Sequence, residues 1–294
     1  MPADFSIWSG YDPELSPEEL VLVLEKRNMH VCELSTEHGS ALLAREGDPE
    51  TIGKQYRAYA AMHGVHFPQG HVWLSAHICD GNSATIDRLK GWISLYAGIG
   101  VRNAVLHCDE SSFPAGTGTE DMIRANAQAL QPLIRHAEPY GIRICLENLV
   151  EHLRTAEDLL AVIDLAGGSD RLGICLDTGH LNLGAPGTES HFIHRAGGRL
   201  HALHINDNEG RADQHLLPFS RGNVDFSAVM RALQDIGYED LFNFEIPGER
   251  CPVGLVREAK VEYIGKIAAY LHTLSGEETP AYGGCAFLEA KEMP

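Results

Sequence analysis

The chain has 294 residues, is 44% hydrophobic, carries a formal charge of −18 and scatters its seven cysteines singly. That length suits one α/β barrel with a single large core, and no run approaches the ~20 apolar residues that span a bilayer, so we expect no membrane partner. The acidic balance argues against nucleic acid, whose binders carry a basic footprint. An odd, dispersed cysteine set without a Cys-x-x-Cys pair argues for a reducing cytoplasm over a disulfide framework.

In chain order, the N-terminus Met1-Pro2-Ala3-Asp4-Phe5 lacks the basic-then-apolar pattern of a signal peptide. Short apolar runs then alternate with amphipathic ones, which predicts repeated strand–helix units and a parallel sheet. The predicted strands are Phe5–Trp8, His30–Leu34, Val72–His77, Ala104–His107, Ile142–Glu147, Leu172–Asp177, Leu200–His204 and Leu241–Glu245. The predicted helices are Pro17–Arg27, Asp48–His63, Ser83–Ala97, Glu120–Tyr140, Thr155–Leu165, Ser227–Ile236 and Gly254–Leu274. Ser16 with Glu19 three residues on reads as a capping box for the first helix. Eight such units predict a single (β/α)8 TIM barrel over residues 1–275, followed by a tail, 276–294. A doubly wound open sheet is the alternative. It lacks support, because no strand is followed by a Gly-x-Gly-x-x-Gly turn or a P-loop.

Four strand-like runs end in ligand-grade side chains: Glu147, Asp177, His204 and Glu245. Barrel strands converge at their C-terminal ends, so these four are expected in one pocket. Three carboxylates and an imidazole suit one divalent ion, with Mn²⁺ preferred over Mg²⁺, Co²⁺ or Zn²⁺. Without a cation the carboxylates would repel and raise each other's pKa. Taken singly, any of the four can equally be a strand-end residue facing solvent. His180, three residues past Asp177, can bind substrate or ligate a further metal. His77, His107 and His215 are candidates for substrate binding or for local hydrogen bonding, and Arg221 can meet an anionic group or stay solvated. Glu33 near the second strand's end either positions substrate or satisfies a loop. Trp8, Phe67 and Trp73 are either pocket wall or core.

The segments Leu146-Glu147-Asn148, Leu176-Asp177-Thr178-Gly179-His180, His204-Ile205-Asn206-Asp207-Asn208, Asp213-Gln214-His215-Leu216, Gly222-Asn223-Val224-Asp225-Phe226 and Phe244-Glu245 resemble the xylose isomerase-like TIM-barrel superfamily. Its sugar-phosphate isomerases and epimerases have the endonuclease IV branch as a cousin. The resemblance implies that Glu147 and Glu245 are metal ligands that also move protons, that Asp177 and His204 complete the ligand set, and that His180 binds substrate. On the endonuclease branch, His77, His107, His180, Asp213 and His215 fall on additional ligand positions. The run Asn148-Leu149-Val150-Glu151-His152 and the Asn208-Glu209-Gly210 loop favour the sugar branch. Pro218-Phe219-Ser220-Arg221-Gly222 departs from the epimerases' usual Pro-x-Gly-x-Gly turn.

The expected activity is therefore a divalent-metal-dependent sugar isomerase or epimerase. It would act by proton abstraction next to a carbonyl through a cis-enediolate, with Glu147 and Glu245 as the acid/base pair. The alternatives are a lyase of the same fold (an inosose-type dehydratase or a 3-keto-glycoside-cleaving enzyme), an endonuclease IV-like phosphodiesterase, and a non-catalytic barrel. The expected partner is a small sugar or keto-polyol. We also expect a homo-oligomer, dimer or tetramer.

Overall fold

The protein is described from a computed structural model, over residues 5–248 and 254–274. Strand and helix alternate along the chain: β1 (Phe5–Ile7), α1 (Pro17–Lys26), β2 (Val31–Leu34), α2 (Thr36–Leu43), α3 (Pro49–Met62), β3 (His66–His71), α4 (Ser83–Ile99), β4 (Asn103–His107), α5 (Thr119–Ala137) and β5 (Arg143–Glu147). There follow α6 (Ala156–Leu165), β6 (Leu172–Asp177), α7 (Thr178–Gly184), α8 (Glu189–Ala196), β7 (Leu200–His204), α9 (Phe226–Asp235), β8 (Phe242–Phe244) and α10 (Gly254–Thr273). The tail read from the sequence, 276–294, lies outside the described residues.

All strand pairs are parallel, giving an α/β fold of the TIM-barrel kind. The strands β2 to β7 form one six-stranded sheet in chain order, and β1 pairs with β8. Just past β7, Ile205 N donates to Asn243 O (2.8 Å) and Glu245 N to Ile205 O (3.2 Å), which ties β8 to the larger sheet. At the other seam side chains make the link: Glu33 N donates to Ser6 Oγ (3.2 Å) and Cys32 Sγ to Ile7 O (3.1 Å). The main core lies between strands and helices, where Trp92, Tyr96, Phe192, Phe226 and Phe244 are buried.

Local chemistry explains the element ends. Ser16 and Glu19 close a capping box ahead of Pro17, and Thr155 with Asp158 does the same for α6. Seven of the eight predicted strands coincide with observed ones to within a residue or so at each end. The third is corrected: the strand is His66–His71, and Val72–His77, read as strand, is the loop after it. The apolar run Val72-Trp73-Leu74 drew the prediction late, whereas the true strand is interrupted by Pro68, Gln69 and Gly70. Gly70 is needed where it stands, because a Cβ there would lie 2.8 Å from the Tyr96 ring. The helices α2, α7 and α8 were not predicted. Each is seven or eight residues long, too short for a periodic signal.

A candidate metal centre at the strand ends

Six consecutive strands deliver a ligand-grade side chain to one end of the barrel. His71 ends β3, His107 ends β4, Glu147 ends β5, Asp177 ends β6, His204 ends β7, and Glu245 follows β8 directly. Register brings neighbours side by side, with His107 opposite Glu147 and Asp177 opposite His204. One potential ligand atom from each of Glu147, Asp177, His204 and Glu245 falls within 4.8 Å of the others, and all four residues are buried. The four residues that the sequence singled out are thus brought together.

His204 is the centre of this group. Its Nε2 lies 3.1 Å from Glu33 Oε1. Its Nδ1 is buried without a hydrogen-bond partner and lies 3.3 Å from both Glu147 Oε2 and Glu245 Oε2. A ring nitrogen facing carboxylates while the opposite nitrogen meets a further carboxylate is the arrangement that metal-ligating histidines adopt. Asp177 is held just as firmly. Its Oδ1 accepts from His180 N (2.6 Å), capping α7, and its Oδ2 accepts from Asn206 Nδ2 (2.7 Å). Gly179 keeps that contact open, since a Cβ there would fall 2.0 Å from Asn206 Oδ1.

Two further groups adjoin the first. His71 Nε2 and His107 Nε2 lie 3.3 and 3.1 Å from Glu147 Oε2. On the other side His180 and His215 share Asp213, their Nε2 atoms 3.4 and 3.2 Å from its Oδ2, while His180 Nδ1 is 3.2 Å from Glu147 Oε1. Asp207 holds this loop over the barrel: its backbone pairs with Leu216 in both directions (2.9 and 2.8 Å), and its Oδ1 accepts from Val224 N (3.1 Å). The Asn206-Asp207-Asn208 motif is therefore scaffold for the site.

For Glu147, Glu245, His180 and His215 burial opposes the charged form, and neighbours decide the outcome. For Glu147, burial acts upward, but His204, His107 and His180 hold the carboxyl well below its ordinary range. For Glu245 burial prevails over His204 and His215, helped by Glu147 and Asp177, and the pKa rises to about 8. Burial acts to lower the His180 and His215 pKa values, but the surrounding carboxylates reverse it, His215 reaching about 10. Carboxylates this close repel one another, and a cation among them relieves that repulsion. A divalent cation would supply positive charge there, and the partnerless Nδ1 of His204 would be available to it as a ligand. The residues fit a metal.

The group opens into a cavity of about 340 Å³ whose wall includes Trp8, Thr36, Glu37 and Pro247. Trp8 is wall, with its Nε1 donating to Ile246 O (3.1 Å). His107, His180 and His215 reach this cavity. Two candidates do not. His77 is 52% exposed on the loop after β3, its Nδ1 3.8 Å from Asp109 Oδ1. Arg221 is 67% exposed, its Nε 3.7 Å from Glu209 Oε2. Phe67 stacks on Tyr56, and Arg88 covers Trp73. Sequence reasoning missed His71, because the misplaced third strand made His77 its terminus. The signal was Gly64, which takes φ +69 just after α3 and so starts the strand early.

Comparison with known proteins gives the family. Residues 26–271 match the family described as xylose isomerase-like TIM barrel. The chain belongs to that family. An uncharacterised protein of Sinorhizobium fredii is 34% identical over 183 residues, 60% of this chain and 57% of that one. An inosose isomerase of Bacillus velezensis is 29% identical over 137 residues, 43% of this chain and 48% of that one. A probable endonuclease 4 of Geobacillus kaustophilus is 28% identical over 178 residues, 55% and 58% of the two chains. The chain thus spans about half the length of the curated relatives it matches. Among solved structures, an L-ribulose 3-epimerase superposes with a TM-score of 0.74 at 21% identity, covering 94% of this chain and 96% of that one. At that identity the likeness concerns the fold.

Proposed function

We propose that this protein is a divalent-metal-dependent isomerase or epimerase of a sugar or keto-polyol, its eight strands forming one closed barrel. The observation that carries the reading is the pair of glutamate oxygens, Glu147 Oε2 and Glu245 Oε2, each 3.3 Å from the partnerless Nδ1 of His204. Glu147, Asp177, His204 and Glu245 would hold the ion, Mn²⁺ first among Mn²⁺, Mg²⁺, Co²⁺ and Zn²⁺. Bound there, it supplies Lewis acidity for a carbonyl and its neighbouring hydroxyl. One glutamate then removes the proton next to the carbonyl, giving a cis-enediolate, and the other returns a proton. His180, between Glu147 and Asp213, binds a substrate hydroxyl, and Trp8 keeps water from the reacting carbons. The inosose isomerase relative supports the class of chemistry.

Glu147→Gln or Glu245→Gln is expected to fold normally and lose about 10³-fold or more of turnover, measured by chromatography of product stereoisomers. Wild-type-like activity in either variant removes the assignment. Chelation is expected to abolish activity and a divalent ion to restore it. Loss of water or of an aglycone in the product, in place of an isomer of equal mass, turns the reading to a lyase.

A second reading rests on the two adjoining groups, His71 and His107 on Glu147, and His180 and His215 on Asp213. They favour a site for more than one ion and a phosphodiesterase of the endonuclease kind. Elemental analysis separates the readings: one ion per chain supports the first, several together with cleavage of a phosphodiester the second. The linings of the main cavity and of the one beside it contain no lysine or arginine among the described residues, which supports a non-nucleic-acid substrate.

Among the described residues no helix is long and apolar enough to cross a membrane. The five described cysteines are free, which supports a cytoplasmic setting. Exposed Leu255, Val256, Tyr263 and Tyr270 on α10 support a homo-oligomer, which sizing chromatography tests.

A further inference from the structure

A second cavity, of about 220 Å³, lies beside the first and shares Leu74 and His107 with it. It sits between the loops that follow β3, β4 and β5. Two buried or half-buried carboxylates tie those loops together. Asp109 accepts from Cys79 N (2.8 Å) on the β3 loop and from Ser112 N (3.0 Å) on its own. Glu110 accepts from His152 N (3.0 Å) and Leu153 N (2.6 Å) on the β5 loop. Both acids are thus consumed in building the walls, and the cavity is a preformed space.

What remains to meet a ligand is amphipathic. Leu149 and Val150 offer an apolar floor, and Ser75, His77 and Ser111 offer hydroxyl and imidazole groups at the rim. Among the described residues no lysine or arginine lines the space, and Glu151 adds a carboxylate. An anionic group meets no guanidinium or ammonium partner among these residues and a carboxylate beside it. A sugar ring, with an apolar face and a hydroxyl edge, matches both the floor and the rim.

We infer that this second cavity is a subsite for an uncharged second ring, so that the substrate is a glycoside-like, unphosphorylated molecule. Its carbonyl-bearing half lies at the strand-end cluster and its other half beyond His107. The inference rests on the isomerase reading and extends it to the class of substrate. It also gives His77 a place: the rim of the distal subsite, away from the metal ligands.

The test is calorimetric binding to the metal-supplemented full chain, using D-fructose, lactulose (a ketose bearing a second hexose) and D-fructose 6-phosphate as probes. Lactulose is expected to bind about tenfold more tightly than D-fructose, and the phosphate no more tightly than D-fructose. Ser111→Trp and His77→Trp, both at exposed positions, fill the space. They are expected to bring the lactulose-to-fructose ratio to about one, with folding checked by circular dichroism. Equal affinities in the wild type, or an advantage that survives both substitutions, overturns the subsite. Chromatography of the same mixtures separates this from the parent reading. A lactulose advantage without any stereoisomer keeps the subsite and removes the isomerase. Stereoisomers without a lactulose advantage remove the subsite alone, and binding of neither sugar overturns both.

Discussion

The barrel interior is built differently on its two sides. Within β4 to β7 the buried residues Val105, Cys145, Cys175 and Ala202 form a small apolar cluster of their own, separate from the main core. The strands β1, β2, β3 and β8 instead contribute buried polar side chains, Ser6, Glu33, Gln69 and Asn243 among them. Gln69 Nε2 donates to Glu33 Oε2 (2.9 Å), Asn243 Nδ2 donates to the same oxygen, and Ser6 Oγ donates to Asn243 Oδ1 (2.9 Å). A fully buried carboxylate is a poor way to stabilise a core, because desolvation offsets most of the Coulombic gain. The polar side makes sense only through its last link, Glu33 Oε1 to His204 Nε2. One side of the barrel is packing, and the other is a bracket for an imidazole.

The largest effect is expected from removing the bracket's carboxylate. Glu33→Ala strands His204 Nε2 and two amide donors inside the barrel, and breaking a buried pair in this way costs about 3–5 kcal/mol. Urea unfolding of the metal-free protein measures that cost. Glu33→Gln sharpens the point, since it keeps the shape and an acceptor while removing the charge. Its stability loss is expected to be smaller, about 1–2 kcal/mol, yet its metal affinity should fall roughly 10–100-fold, the usual effect of losing an outer carboxylate. A Glu33→Gln protein that titrates with Mn²⁺ or Zn²⁺ like the wild type would show the polar side to be mere structure.

The apolar side is expected to respond in the opposite sense. Val105→Ala removes buried methyl groups and should cost about 1–2 kcal/mol through lost burial and a small cavity. Metal affinity should stay as it was, because Val105 touches the site only as packing. If this substitution weakened metal binding as much as Glu33→Gln does, the two sides would not be functionally distinct.

This contrast also marks what was legible in the sequence. The four candidate ligands Glu147, Asp177, His204 and Glu245 stood out because each closes an apolar run, and a charged group at the end of a buried strand is rare without a reason. The apolar interior is legible for the same cause: Val105, Cys145 and Cys175 sit inside such runs. The bracket was not. Glu33, Gln69 and Asn243 look like polar interruptions, and only the register that sets Glu33 beside Gln69 shows that they face one another. Gln69 also helped to hide β3, and with it His71. Short helices nucleated by a single cap, such as α7 on Asp177, leave no period to read.

The smallest effect is expected where the strands β4, β5, β7 and β8 begin, at the opposite end of the barrel from the candidate metal ligands. There Asp240 Oδ2 lies 2.9 Å from His201 Nδ1, Asn103 Nδ2 donates to Asp240 Oδ1 (3.2 Å), and Arg143 Nη1 donates to Asn103 Oδ1 (2.8 Å). Burial acts to raise the Asp240 pKa, and His201, Asn103 and Arg143 override it, so the folded value lies below the ordinary one of about 3.9. A depressed carboxylate stabilises the fold fully above its unfolded pKa, and that contribution is lost as the pH falls through the folded value. Because both partners are partly solvated, the contribution is about 1 kcal/mol or less. Asp240→Asn should therefore leave metal affinity alone and cost little at pH 7. Below about pH 4 the difference from wild type should shrink, as the wild-type carboxylate protonates too. Thermal unfolding at stepped pH would show this convergence. A gap that widened towards acid would mean that the cluster works through something other than the Asp240 charge, and that polar groups at this end are organised as tightly as those around Glu33.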